Sequence, residues 1–377
     1  MIRHKKTWIV VLAVALIVSA CSSGSDDSSK DADAGDATAS TPEQEGDDLD
    51  ALLGEAGDAE PDTQTTEQPP DTAPTFTDGL WPLTGVEQPE GAQIERAALA
   101  IKIDNVEAAR QQAGINEADI IYEERVEGGL SRLLAIYQSQ DASLVGPIRS
   151  ARSTDVPILL SLQDPLFAWS GANAAFAKLI QGADVKDVGY SAAPLGTYEV
   201  MADREAPSNL FSSTELLWGA TTDPDGPPRS IFRYLGGGDA LPEEARDVSM
   251  VSVSFGATDV EFRWDESLGG WVRSQNGTPF VDADGDVVAP ENLVVQFVEY
   301  RSTDQVDSNG VAVPEAVLEA RFAPVWYLVN GKLVTGSWQK FSAQTPFQYT
   351  FNNGRYAQLS PGQTWVVLVE DGDASWE

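Results

Sequence analysis

IIYEERVEGGLSRLLAIYQ, residues 120–138, sets the architecture of this chain. Two apolar runs flank Glu127-Gly128-Gly129. They read as strands over Ile120 to Val126 and Leu130 to Gln138, turning at the two glycines into a hairpin. Side chains alternate along a strand, so the adjacent Glu123 and Glu124 go to opposite faces. A carboxylate turned inward among apolar neighbours needs a partner, and an arginine is the expected one.

Outward from the hairpin, strands and a few helices alternate. ALAIKID (Ala98 to Asp104) reads as a strand. Ser153 to Leu162 has helical spacing, with Ser153 as N-cap and Pro157 in the first turns, where proline is tolerated. Pro165 to Trp169 reads as a buried strand and Asn173 to Ile180 as a helix. Ser212 to Trp218 is a further helix, with Glu215 completing a capping box. Proline and glycine dominate Thr221 to Gly238, which places a domain boundary there. Beyond it the expected strands are Met250 to Phe255, Val260 to Trp264, Gly270 to Arg273, Leu293 to Tyr300, Val317 to Phe322, Val325 to Val329 and Thr364 to Val369. The pairs Asn276-Gly277, Asn330-Gly331 and Asn353-Gly354 are hairpin turn signals. The expected fold class is α+β, with an N-terminal α/β domain over 79–238 and a strand-rich domain over 239–377.

The chain's one histidine is His4 and its one cysteine is Cys21. Both lie in a segment with a basic start (Arg3, Lys5, Lys6) and an apolar run of 11 residues, Trp8 to Val18. That run is short of the roughly 20 residues that span a bilayer. It ends in VSAC, which resembles a bacterial lipobox. Residues 1–21 are thus expected to be a lipoprotein signal, with Cys21 acylated and attached to the membrane by its lipid. Residues 22–78 hold 17 acidic residues against Lys30 alone. Such a composition cannot bury enough apolar surface to offset ordering entropy, so the segment reads as a disordered acidic tether.

A mature chain beginning at Cys21 has no imidazole and no free thiol. Histidine-dependent triads, cysteine nucleophiles, His-ligated metals and disulfides then fall away, and no cofactor or metal is expected. A formal charge of −35 argues against nucleic acid as a partner. DADGD (282–286) lacks the EF-hand spacing and reads as a turn. The polar residues left cluster between 102 and 155. Arg149 and Arg152 in VGPIRSARSTD (145–155) stand beside an expected helix start, a combination suited to an anion; the alternative is a structural network in which both pair internally with Glu123, Glu124 and Asp155. Arg110 is a third candidate for that anion. Asp104, Asn105, Glu123, Glu124, Asp155 and Asn209 are candidates to orient the arginines or to take part in catalysis. DREAPSNLF (203–211) reads foremost as a loop capping the following helix.

IKIDNVEAARQQAGINEADIIYEERVEGGLSRLLAIYQS, VGPIRSARSTD, REAPSNLF, NLVVQFVEY, GSWQK and PGQTWVVLV together resemble the YerB-like bacterial lipoproteins, a family of unknown function. The resemblance touches most of residues 80–370. It implies a two-part fold of the layered β-β-α sandwich kind. The family pattern places histidine where this chain has Ser208, which speaks for binding over catalysis. The expected function is a lipid-anchored module on the extracytoplasmic face of the cell membrane, binding an anionic cell-wall polymer or another ligand through its arginines. The alternatives are a carboxylate-dependent hydrolase or transferase acting on wall glycans, and a structural partner of another envelope protein.

Overall fold

The computed structural model describes residues 79–377 apart from 93–94, 223–225 and 308–309. The signal segment with Cys21 and the acidic tether lie outside the described residues. The first strands are β1 (Leu99–Asp104), β2 (Ile120–Arg125), β3 (Ser131–Tyr137), β4 (Leu166–Ala168) and β5 (Lys186–Asp187). The helices are α1 (Asp155–Leu159), α2 (Ala174–Gln181) and α3 (Thr214–Trp218).

β2 and β3 pair antiparallel from Ile120–Ile136 to Arg125–Ser131. Gly128 and Gly129 both have φ +72°, a left-handed conformation that disfavours a Cβ, so the turn falls where the two glycines stand. This hairpin sits inside an 11-stranded sheet. The order is Gln348–Phe351, Lys332–Lys340, Ala320–Val329, Asn292–Phe297, Thr364–Val369, β2, β3, β1, β4, β5, with the short Arg246–Asp247 beside Lys332–Lys340. Strands from both sides of residue 238 therefore share one sheet. The join is the parallel pair of β2 with Thr364–Val369.

One face of this sheet packs on a five-stranded sheet ordered Thr278–Pro279, Gly270–Gln275, Asp259–Asp265, Met250–Ser254, Ala374–Trp376. Ile101, Ile121 and Leu133 meet Val253, Phe262 and Trp271 there. On the opposite face Ala100, Tyr122 and Leu134 join a core with Val156 and Leu159 of α1 and Ile180 of α2. Because both faces are covered, β1 and β3 are buried along their whole length despite polar residues in their sequence. Among the described residues strands predominate and helices are few and short, and the α+β expectation holds to that extent.

Four local expectations are corrected. α1 starts at Asp155 after Thr154, and Ser153 does not cap it. Thr154 Oγ1 instead accepts from Ala316 N at 3.1 Å. α3 is capped by Ser213, whose hydroxyl accepts from Leu216 N at 3.2 Å; Ser212 Oγ donates to Thr197 O. The run Leu293 to Tyr300 is divided between Asn292–Phe297 in the large sheet and Glu299–Val306 in a separate hairpin with Ala312–Val317. Of the Asn-Gly pairs, Asn276-Gly277 and Asn330-Gly331 have both residues at positive φ and make two-residue hairpin turns. At Asn353-Gly354 only the glycine is left-handed, in a wider loop.

Candidate functional site

Glu123 and Glu124 leave β2 on opposite faces, and both are buried because both faces are covered. Glu123 lies between the sheets. Its Oε1 accepts from Arg273 Nη2 at 2.8 Å, Ser131 Oγ at 2.7 Å and Asn105 Nδ2 at 3.2 Å, and its Oε2 from Trp365 Nε1 at 3.0 Å. Arg273 is fully buried, with its guanidinium 4.1 Å from the Phe280 ring centre. On the other face Lys102 Nζ donates to Glu124 Oε1 and, at 2.6 Å, to Asp155 Oδ1. Burial raises the Glu124 pKa; Lys102 opposes that and Asp155 reinforces it. Glu123, Glu124, Asn105 and Asp155 are thus held inside the protein. The arginine expected to meet an inward glutamate is Arg273, 150 residues away in sequence.

A different set opens to solvent. A cleft of about 450 Å³ lies between the β2–β3 turn, the segment before α1, the start of α2 and the hairpin arm Glu299–Val306/Ala312–Val317. Arg132, Arg149 and Arg152 all line it. They converge on Ser150. Its carbonyl accepts from Arg132 Nη1 at 3.2 Å and Arg152 Nη1 at 3.4 Å, and its hydroxyl from Arg149 Nη1 at 3.3 Å. Asp104 stands behind them, accepting from Arg149 Nε at 3.1 Å and Ser208 Oγ at 3.0 Å, with Arg132 Nε 4.0 Å away. Glu127 Oε2 accepts from Arg152 Nη2 at 2.8 Å. Burial, with Arg152 next, pushes the Arg132 pKa down to about 10. Three guanidiniums this close favour a nearby negative charge.

Arg149 and Arg152 therefore line the same cleft, Arg149 bonded to Asp104 and Arg152 to Glu127. Arg132 and Glu127 are the residues a local reading of 145–155 passes over. They come from β3 and the turn before it, and only the pairing of β3 with β1 carries Arg132 alongside Asp104. Arg110 lies apart from the cleft, near Glu107 at 3.5 Å and over Phe280. Asn209 accepts from Met201 N through its carbonyl in a short ribbon. Arg204 donates to Ala109 O and Gln111 O. Asp282 of DADGD is buried and accepts from Ile115 N at 2.7 Å, so it braces a turn. The helix start offers nothing to an anion. α1 has five residues, Arg152 N is bonded to Asp155 Oδ2 at 2.7 Å, and Asp155 N and Val156 N are bonded to Arg152 O and Ser153 O. The positive charge of the site is all in side chains.

Fold and sequence together place the chain in a class. Residues 83–226 match the family described as "Protein of unknown function (DUF3048) N-terminal domain", and 251–366 match the C-terminal domain of the same family. The chain belongs to this two-part, YerB-like family. It is 26% identical over 318 residues to the "Putative lipoprotein YerB" of Bacillus subtilis (strain 168), covering 83% of this chain and 92% of that protein. The crystal structure of the YerB protein from Bacillus subtilis is similar, with a TM-score of 0.65 and 25% identity, covering 79% of this chain and 99% of that one.

Proposed function

We propose that the protein is a lipid-anchored lipoprotein on the extracytoplasmic face of the bacterial cell membrane, and that its three-arginine cleft binds an anionic group of an envelope ligand or polymer. The anchor reading is supported by the signal-like residues 1–21 ending in Cys21 and by the name of the Bacillus relative. Among the described residues no helix is long and apolar enough to cross a membrane. The binding reading rests on one observation: Arg132, Arg149 and Arg152 line a single cleft, where among the described residues Asp104 and Glu127 pair with them.

This arrangement favours binding over hydrolysis. A two-carboxylate hydrolase needs a pair of acids facing its substrate across about 5–10 Å. Here Asp104 and Glu127 are each already tied to an arginine. The layered β-β-α description belongs to the same proposal, with the cleft on the α-bearing side of the large sheet.

The test is titration calorimetry of the full chain in detergent micelles with anionic wall fragments. Arg149→Ala is expected to weaken binding 10- to 100-fold, the scale of one lost charge-assisted hydrogen bond. Equal binding by the variant would remove the cleft from consideration. For the anchor, Cys21→Ser protein is expected to leave the membrane fraction.

A further inference from the structure

A second cleft lies at the end of the β2–β3 hairpin opposite its glycine turn. Its volume is about 460 Å³, close to that of the arginine cleft. Ala118 before β2 and Ser139 and Gln140 after β3 meet there with the segment around Trp81. Glu291 and Gln363, which precede Asn292–Phe297 and Thr364–Val369, complete the walls. That size suits a small-molecule ligand, for which roughly 300–1,000 Å³ is usual. Its chemistry differs from that of the first cleft, because among the described residues no lysine or arginine lines it.

Several polar groups on its walls are held in place yet open. Glu291 Oε2 accepts from Gln363 N at 2.6 Å, and Gln363 Nε2 donates to Ile115 O at 2.8 Å and Ala118 O at 2.7 Å. Gly362 lets the carboxylate lie against the chain, since a Cβ there would stand 2.5 Å from Glu291 Cδ and Oε2. Glu291 Oε1 has no partner among the described residues. Burial raises the Glu291 pKa, so a donor reaching this oxygen would relieve a partly desolvated charge. Asn116 is half-buried and Gln140 is exposed, and neither side-chain amide has a hydrogen-bond partner among the described residues. Each amide offers both donors and an acceptor. Trp81 adds an aromatic wall.

We infer that this second cleft binds an uncharged glycan, whose hydroxyls donate to Glu291 Oε1 and exchange hydrogen bonds with the amides of Asn116 and Gln140. The inference is independent of the arginine cleft. An anion is disfavoured because Glu87 and Glu291 both line the space and no cation there answers them. A wholly apolar ligand would desolvate the carboxylate and both amides without replacing their water. A cation would meet the carboxylates and leave the amide donors idle. A sugar hydroxyl donates and accepts, which suits a set of amides beside a carboxylate.

The full chain in detergent micelles is titrated by calorimetry with chitotriose and maltotriose, both uncharged, and with spermidine as a cation. At least one trisaccharide is expected to bind with a Kd of about 1 mM or tighter. Asn116→Ala and Gln140→Ala are each expected to weaken it about 3- to 10-fold, the scale of one neutral hydrogen bond, and Glu291→Gln about tenfold. Gln140→Ala truncates an exposed side chain and keeps the test open should Asn116→Ala fold poorly. Neither trisaccharide binding, or binding unchanged in all three variants, overturns the inference. Spermidine that competes with the trisaccharide and binds more tightly also overturns it, making the cleft a cation site on its two carboxylates.

Discussion

Arg152 Nη2 donates to Glu127 Oε2 at 2.8 Å, tying the turn between β2 and β3 to the segment that leads into α1. Both side chains are about nine-tenths buried, whereas Arg149, three residues earlier, keeps 28% of its side chain exposed. Two arginines of one short motif thus differ in setting, Arg152 held inside the protein and Arg149 partly open to solvent.

That contrast predicts different consequences for two substitutions. Arg152→Ala leaves Glu127 buried and ionised without its partner, and is expected to destabilise the protein by about 3–5 kcal/mol. Arg149→Ala is expected to stay within about 1 kcal/mol of wild type, because Asp104 retains Ser208 and Asn105 as donors. Urea unfolding of both variants checks this. Equal losses would mean that Arg149 is as structural as Arg152.

The Glu123–Arg273 pair ties the two sheets together with no exposure on either side chain. Arg273→Met strands Glu123 in the core and is expected to cost about 3–5 kcal/mol. Arg301, which bonds Glu315 in the hairpin arm, is 68% exposed, and Arg301→Met is expected to change stability by less than about 1 kcal/mol. Midpoints of urea denaturation give both values. A mild Arg273→Met would show that Asn105, Ser131 and Trp365 alone satisfy the carboxylate.

Asp119 is fully buried, and burial pushes its pKa up to about 6 although Ser139 donates to it. The unfolded chain releases this proton near pH 3.9. Between those values the folded state holds more protons than the unfolded state, so stability falls as pH rises from about 4 to about 6, by about 3 kcal/mol. Asp119→Asn has no proton to lose. The difference in unfolding free energy between variant and wild type is therefore expected to move in the variant's favour across that window. Parallel curves would count against the shifted carboxyl.

Lys340 is enclosed with Ser161 Oγ at 2.8 Å and Thr345 O as acceptors and the Phe347 ring at 4.8 Å. Burial, opposed by Glu319, pushes its pKa down to about 7. The folded state gives up this proton earlier than the unfolded chain, so stability rises with pH from about 7 to about 10.5. Lys340→Met is expected to melt above wild type most clearly at pH 6, with the gap closing at higher pH. Calorimetric melting temperatures across that range decide it, and a gap that does not narrow would dismiss the lysine as its source.

Where sequence reasoning succeeded, the signal was local. Gly128-Gly129, Asn276-Gly277 and Asn330-Gly331 require left-handed backbone, and Asn173 caps α2 by accepting from Phe176 N at 2.9 Å. What stayed hidden is long-range. Nothing near Glu123 points to Arg273. Nothing in VGPIRSARSTD reveals that Arg132 arrives from β3 through the register Asp104–Arg132. Lys102 looks like the polar half of an alternating strand, and becomes a buried partner of Glu124 and Asp155 only once both faces of the sheet are covered. Burial on two faces removes the polar–apolar contrast on which strand reading depends.

The same topology bears on the division near residue 238. The family's two parts match on either side of it, yet Thr364–Val369 lies between Asn292–Phe297 and β2, parallel to both. Cutting the chain there would expose the Ile120–Glu123 edge of β2 and remove Trp365 and Arg273 from Glu123. The division is accordingly proposed as a boundary in sequence across one cooperative folding unit. Fragments 79–238 and 239–377, expressed separately, are expected to lack a cooperative melting transition, while the full chain shows a single one by calorimetry and near-ultraviolet circular dichroism. A 79–238 fragment that melts cooperatively by itself would show that the β2 edge closes without Thr364–Val369, and that the halves are domains in the physical sense as well.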